Sequence, residues 1–214
     1  PPPPPPPPPP PFFFQAEDGI RDCLLARGLG DVYKRQIILR PGVVERSGEA
    51  SNLKVDISKF FDKTYTLEQG YIEGGDILRI NNHFIIGISC RTNETGAKNL
   101  SNIIEKNGGT SEIAITPENT LHFKSECSLL DEETILATDN LIKSDFFNKK
   151  YRIIKVPKGE ETGANCLRIN EHLLIPKGYD RLLDLVSKDY KIRVLDVTEM
   201  EKVDAGLSCL SLRW

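Results

Sequence analysis

The stretch Gly74–His83, GGDILRINNH, returns as Gly163–His172, GANCLRINEH, and this internal repeat limits the folds open to the chain more than any other feature. Each copy is followed by an apolar, strand-like run and then a helical pattern. In the first copy Asp76–Ile80 and Phe84–Ile88 read as short strands joined by the polar turn Asn81–Asn82. A helix is predicted over Thr95–Lys106, with Ala97, Leu100, Ile103 and Ile104 on one face and Gly108 as a stop signal. Ile113 and Ile115 then alternate as a third strand, so the unit is strand, strand, helix, strand. A weaker copy lies between the two: CSLLDEETILATD from Cys127, a helix predicted around Ser144–Lys150, and the strand Tyr151–Val156. Three units at a spacing of roughly 45 residues are each too small to bury their own apolar face, so they must share a core as repeats do.

Ahead of the repeats, Ile37–Leu39 starts as a strand, turns at Arg40, Pro41 and Gly42, and leads to Leu53, Ile57, Phe60 and Phe61 at helical spacing. Residues 1–36 have a different composition. Residues 1–11 are unbroken proline, followed by Phe12–Phe14 and QAEDGIRDCLLARGLGDVYKRQ. Polyproline alone would suggest a stiff linker or an SH3-type ligand. The whole block instead resembles the conceptual translation of a sequencing-library adaptor, so 1–36 is expected to be a non-native, disordered leader and is set aside from fold reasoning.

The 214 residues carry a net charge of −3 and no apolar run long enough to cross a bilayer, which predicts a soluble protein with neither membrane nor nucleic-acid partners. Five cysteines show no CxxC spacing and no secretory signal is visible, so a reduced, cytoplasmic protein is expected.

The repeat separates ordinary positions from special ones. His83 and His172 fall at equivalent places beside the two hairpin turns and read as turn residues, which leaves His122. Cys166 falls opposite Ile77 and reads as packing. Asp76 falls opposite Asn165, a polar position both copies keep, whereas Glu73 falls opposite Thr162 and is the carboxylate the fold does not require. A lone cysteine among leucines is more often a small buried hydrophobe than a reagent. Cys209 nevertheless lies in a short alternating run read as a strand, five residues after Asp204. Glu73, His122 and Cys209 supply one each of the residue types a thiol nucleophile needs: an imidazole to move protons and a carboxylate to hold its ring. Sequence separation alone does not set their distances.

EGGDILRI, SCRTNETGA, LHFKS, VPKGEETGANCLRIN with IPKGY, and EKVDAGLSCLSLRW follow one another in an order that resembles the signature segments of the dimethylarginine dimethylaminohydrolase family. The resemblance implies an α/β fold, the five-bladed propeller called a pentein, built here from strand-strand-helix-strand repeats over 37–214 with the first blade missing. It implies hydrolysis of a methylated arginine to citrulline and an amine, with neither metal nor cofactor, and leaves a homodimer open. Cys209 would be the nucleophile, His122 the general acid and base, and Glu73 its orienting carboxylate. Arg91 and Arg46 would bind the substrate α-carboxylate, as guanidinium forks suit a planar anion, and Asp204 would help hold the guanidinium. The family's acidic guanidinium clamp falls in the segment replaced by the leader, so low activity is expected of the chain. Two other readings stay open. An arginine deiminase-like hydrolase is disfavoured by the compact length and LSCLSLRW, and a non-catalytic pentein-fold binder would have no need of the Cys and His pair.

Overall fold

The computed structural model describes residues 35–209, apart from 47, 49, 51–53, 55–58, 60, 62, 119, 145, 148 and 149. The expected leader therefore falls outside the described residues, except for Arg35 and Gln36, which belong to the first strand. Most of the helix expected over Leu53–Phe61 falls outside them too. Strand β1 (Arg35–Ile38) pairs in parallel with β2 (Lys63–Thr66). Three blades of three strands follow. Blade one is β3 (Ile77–Ile80), β4 (His83–Ile88), helix α1 (Glu94–Lys106) and β5 (Thr110–Ile115). Blade two is β6 (Cys127–Leu129), β7 (Thr134–Ala137), α2 (Asp139–Ile142) and β8 (Arg152–Lys155). Blade three is β9 (Leu167–Ile169), β10 (His172–Pro176), α3 (Asp180–Val186) and β11 (Lys191–Leu195). In each, an antiparallel hairpin is followed by a helical crossover to a parallel third strand. A short helix α4 (Thr198–Glu201) leads to the last described loop. No helix among the described residues is long and apolar enough to cross a membrane.

The repeated LRIN is a turn requirement. Asn81 and Asn170 both have φ of 54°, a left-handed conformation that asparagine tolerates better than other side-chain-bearing residues. The middle strands are buried on both sides, which is why they read as continuous apolar runs. Phe84 and Ile86 of β4 pack with Ala97, Leu100 and Ile104 of α1 against Ile37 and Leu67, while Ile85 packs the other way with Phe123, Ile135 and Leu141. Leu136 of β7 and Leu173 of β10 share the next core with Leu182 and Val186 of α3. Each helix thus fills the gap between its own blade and the preceding one, and no blade closes a core alone.

Three local expectations are corrected. The middle helix is Asp139–Ile142 rather than 144–150, because Thr138 caps it through an Oγ1 that accepts from Leu141 N, and the chain then turns. Phe146 and Phe147 form an edge-on aromatic cluster with Phe123 and Tyr151 instead of a helix face. In β5 the buried residue is Ala114, and Ile115 at the strand's end is 76% exposed. Cys209 lies in a turn, not a strand: its N–H donates to Gly206 O at 3.0 Å, and 210–214 fall outside the described residues.

Candidate active site

Each blade is entered through a short 3-10 turn, at Gly74–Asp76, Phe123–Ser125 and Glu161–Ala164. The first packs on the second and the second on the third. Glu73 immediately precedes the first turn and His122 the second, both extended. Phe123 is fully buried, so the ring beside His122 is anchored in the core. Gly75 has a steric role here: a methyl on it would lie 2.5 Å from His122 Cδ2, so only glycine lets the imidazole rest on this backbone.

The result is a charged cluster around one buried carboxylate. Glu73 Oε2 lies 3.1 Å from His122 Nε2 and accepts from Arg46 Nη1 at 2.8 Å, and Glu73 Oε1 lies 3.6 Å from Arg91 Nη1. A carboxylate only accepts, so the Nε2 that faces it is the natural donor and Nδ1 is the ring nitrogen left to exchange a proton. Four expected residues thus meet, but Arg46 and Arg91, expected on a substrate carboxylate, lie on Glu73. Asp204 and Cys209 are on the loop after α4. Asp204 is exposed with φ of 57°, and among the described residues neither it nor Cys209 hydrogen-bonds Glu73 or His122. Cys209 is exposed, as is Cys90, whereas Cys127 and Cys166 are buried. Burial pushes the Cys166 thiol up to about 12 and Cys127 higher still, so neither is a source of thiolate at neutral pH.

Residue-type reasoning passed over three residues that hold this arrangement. Asp76 Oδ2 accepts from Ser89 Oγ at 2.8 Å and Thr92 Oγ1 at 2.6 Å, and its Oδ1 accepts from Phe123 N at 2.8 Å. Thr92 Oγ1 also accepts from Glu73 N at 3.1 Å, so one hydroxyl ties both acids together. Asn165 Oδ1 accepts from Ser208 N at 3.0 Å. The polar signal that Asp76 and Asn165 share was visible, but not what it binds.

Burial pushes the Asp76 carboxyl above its ordinary range, against the opposing pull of Thr92, Phe123 N, Ser89 and the His122 charge. A raised folded-state pKa means the folded protein holds this proton more firmly than the unfolded chain. Asp76 therefore contributes stability below the unfolded carboxyl's pKa, and that contribution is lost as pH rises through the folded value. Asp76→Asn, the residue found at the equivalent position 165, keeps an acceptor for Phe123 N without the charge. Melting temperature followed from pH 4 to 8 is expected to fall less with pH in Asp76→Asn than in the parent. Equal slopes would show that Asp76 ionises without cost.

Comparison with known proteins agrees with this architecture. The arginine deiminase family model matches residues 53–173. A dimethylarginine dimethylaminohydrolase of Pseudomonas aeruginosa is 34% identical over 181 residues, covering 83% of this chain and 70% of that protein. One from Streptomyces coelicolor is 27% identical, covering 83% and 68%. The solved structure of a cysteine-to-serine mutant of the Pseudomonas aeruginosa protein, complexed with citrulline, superposes with a TM-score of 0.78 at 32% identity, covering 84% of this chain and 70% of that one. A cyanobacterial arginine dihydrolase superposes at 0.70 with 19% identity over 84% of this chain and 30% of its own, a likeness of fold alone. The blades described above are those of a pentein propeller, and the chain is a dimethylarginine dimethylaminohydrolase-like member of the guanidino-modifying pentein superfamily.

Proposed function

We propose that the chain hydrolyses the guanidino group of an Nω-methylated arginine to citrulline and methylamine or dimethylamine. The observation that carries this reading is the buried Glu73 carboxylate 3.1 Å from His122 Nε2, which fits a histidine held for proton transfer. Its relatives' names and the citrulline bound to the Pseudomonas aeruginosa mutant support the choice of substrate.

In this reading the Cys209 thiolate adds to the guanidinium carbon while protonated His122 gives its proton to the methylated nitrogen. The C–N bond breaks, the neutral amine leaves, and a thiouronium remains on Cys209. Water then attacks the same carbon and His122 takes one of its protons. Collapse expels the thiolate and leaves the ureido group of citrulline, and the second proton goes to the released amine in solution. A cationic guanidinium beside the thiol favours the thiolate, because opposite charges stabilise each other. Asp204 would add to the hold on that cation. Arg91, whose contact with Glu73 is 3.6 Å against 2.8 Å for Arg46, is the guanidinium more readily diverted to a substrate α-carboxylate, with Arg46 assisting.

The match to the arginine deiminase model makes unmodified arginine the competing substrate. The test is citrulline release by the full chain from asymmetric dimethylarginine, monomethylarginine and arginine, with the amine or ammonia measured alongside. Methylated arginine is expected to be preferred by at least about 10-fold in kcat/KM, since a pocket shaped for N-methyl groups gains roughly this from their burial. Preference for arginine with ammonia release would make it a deiminase, and no turnover of any of the three would remove the hydrolase reading.

A further inference from the structure

We infer that Asn165 is a positioning residue for Cys209, acting through the backbone of Ser208, as Asp76 acts through the backbone of Phe123 on His122. The inference rests on the reading of Cys209 as nucleophile given above. The two polar residues occupy the same place in the repeat, immediately ahead of the hairpin, and each reaches out of its own blade to the next segment of chain. Asp76 Oδ1 accepts from the N–H one residue after His122, at 2.8 Å. Asn165 Oδ1 accepts from the N–H one residue before Cys209, at 3.0 Å. The corresponding residue of blade two, Glu126, behaves differently: it turns back to accept from Thr120 Oγ1 and Thr138 Oγ1 next to its own blade. The outward bond therefore occurs at the two blades whose following segment carries a proposed reacting residue.

The contact is built tightly. Asn165 is only 9% exposed, so water competes little for its amide. Gly206 lies directly on it: a methyl there would be 2.5 Å from Asn165 Cγ. Leu207 is buried with Leu167 and Val197, so the loop is pinned at 207 by packing and at 208 by the hydrogen bond, and Cys209 emerges exposed. The chemistry also explains why the two copies differ. A carboxylate at 165 would place negative charge beside the segment that carries the thiol and oppose a thiolate, whereas at 76 the His122 charge offsets part of the cost that burial puts on the carboxylate.

The test labels the full chain with chloroacetamidine or iodoacetamide and quantifies each cysteine peptide by mass spectrometry. Exposed Cys90 serves as internal standard, and buried Cys127 and Cys166 report unfolding. Asn165→Ala and Gly206→Ala are each expected to slow chloroacetamidine labelling of Cys209 relative to Cys90 and to lower kcat by about 100-fold at nearly constant KM, the scale of a small misplacement of a reacting group. Asn165→Asp keeps the acceptor, so it is expected to recover part of kcat and to move the pH profile of Cys209 alkylation to higher pH than in the parent. If Asn165→Ala exposes Cys127 and Cys166, the loop variant Gly206→Ala decides. Parental labelling and kcat in both alanine variants, or a rise in KM at constant kcat, would overturn the inference while the hydrolase reading stands. A parent that neither turns over a guanidine nor labels selectively at Cys209 would remove both.

Discussion

Cys209→Ser is expected to lower citrulline release by about 10⁴-fold or more, the usual cost of removing a covalent nucleophile. Serine keeps the shape but not the chemistry. A thiol ionises far more easily than a hydroxyl and is the better nucleophile once ionised, and His122 would have to deprotonate serine at a much higher barrier. Because Cys209 is exposed in a turn, the substitution removes little packing, and stability is expected to change by less than about 0.5 kcal/mol. The activity loss would then be chemical. Cys90 is the informative control: it is exposed beside Arg91, with Sγ toward the carbonyls of Thr120 at 3.7 Å and Leu121 at 3.5 Å. Cys90→Ser is expected to leave turnover little changed. Acid quenching during turnover should trap a mass increase on the Cys209 peptide that the serine variant lacks. Retention of more than about a tenth of the parental rate would remove Cys209 as nucleophile.

Much of the blade architecture was legible because the repeat fixes both period and turn chemistry. GGDILRINNH and GANCLRINEH carry the same asparagine at the same left-handed position, so two hairpins could be placed from one comparison. The middle blade was less legible. Its helix start, Thr138 followed by Asp139, is a capping signal, but the helix was expected further on, around 144–150, where Phe146 and Phe147 lie. Those rings serve the core through mutual edge contacts, which periodicity does not encode. The last described residues differ in another way: alternation in LSCLSLRW reads as a strand, whereas over 207–209 Leu207 is a buried plug followed by a turn. Removing the residues the repeat explains left Glu73 and His122 as candidates, and their pairing was what the family resemblance implied; the two side chains lie 3.1 Å apart. That two arginines would share the same carboxylate was not anticipated, since an arginine's choice among anions depends on distance and not on sequence spacing.

The same bonds suggest how the fold and the site are coupled. In blades one and three a polar side chain ahead of the hairpin accepts from the next segment of chain, and those backbone N–H groups belong to residues next to His122 and Cys209. In blade one this bond reaches the residue after His122, and in blade three the residue before Cys209. The site is then only as rigid as these few buried hydrogen bonds, which is why conservative changes at 76 and 165 are more telling than truncation of exposed groups.

Glu73→Gln is expected to lower kcat by about 10³–10⁴-fold, the scale seen when a catalytic histidine loses the carboxylate that fixes its tautomer. Glutamine can either accept from Nε2–H or donate to an unprotonated Nε2, so the ring is no longer held in one form. It also leaves Arg46 and Arg91 without the anion they share. Whether that destabilises the fold is decided by exposure. Removing one partner of a fully buried pair costs about 3–5 kcal/mol because the other charge is stranded away from water. Here Arg46 is 44% and Arg91 31% exposed, so solvent can take over both cations, and the loss is expected to be below about 1 kcal/mol. A large activity loss at nearly constant melting temperature is therefore the expected pair of results. Glu73→Asp restores the charge one methylene short and should fall between glutamine and the parent in kcat. If Glu73→Gln keeps kcat within about 10-fold of the parent, Glu73 is a counter-ion for the arginines and His122 is held by other means. A matching collapse of melting temperature would instead assign it to the fold.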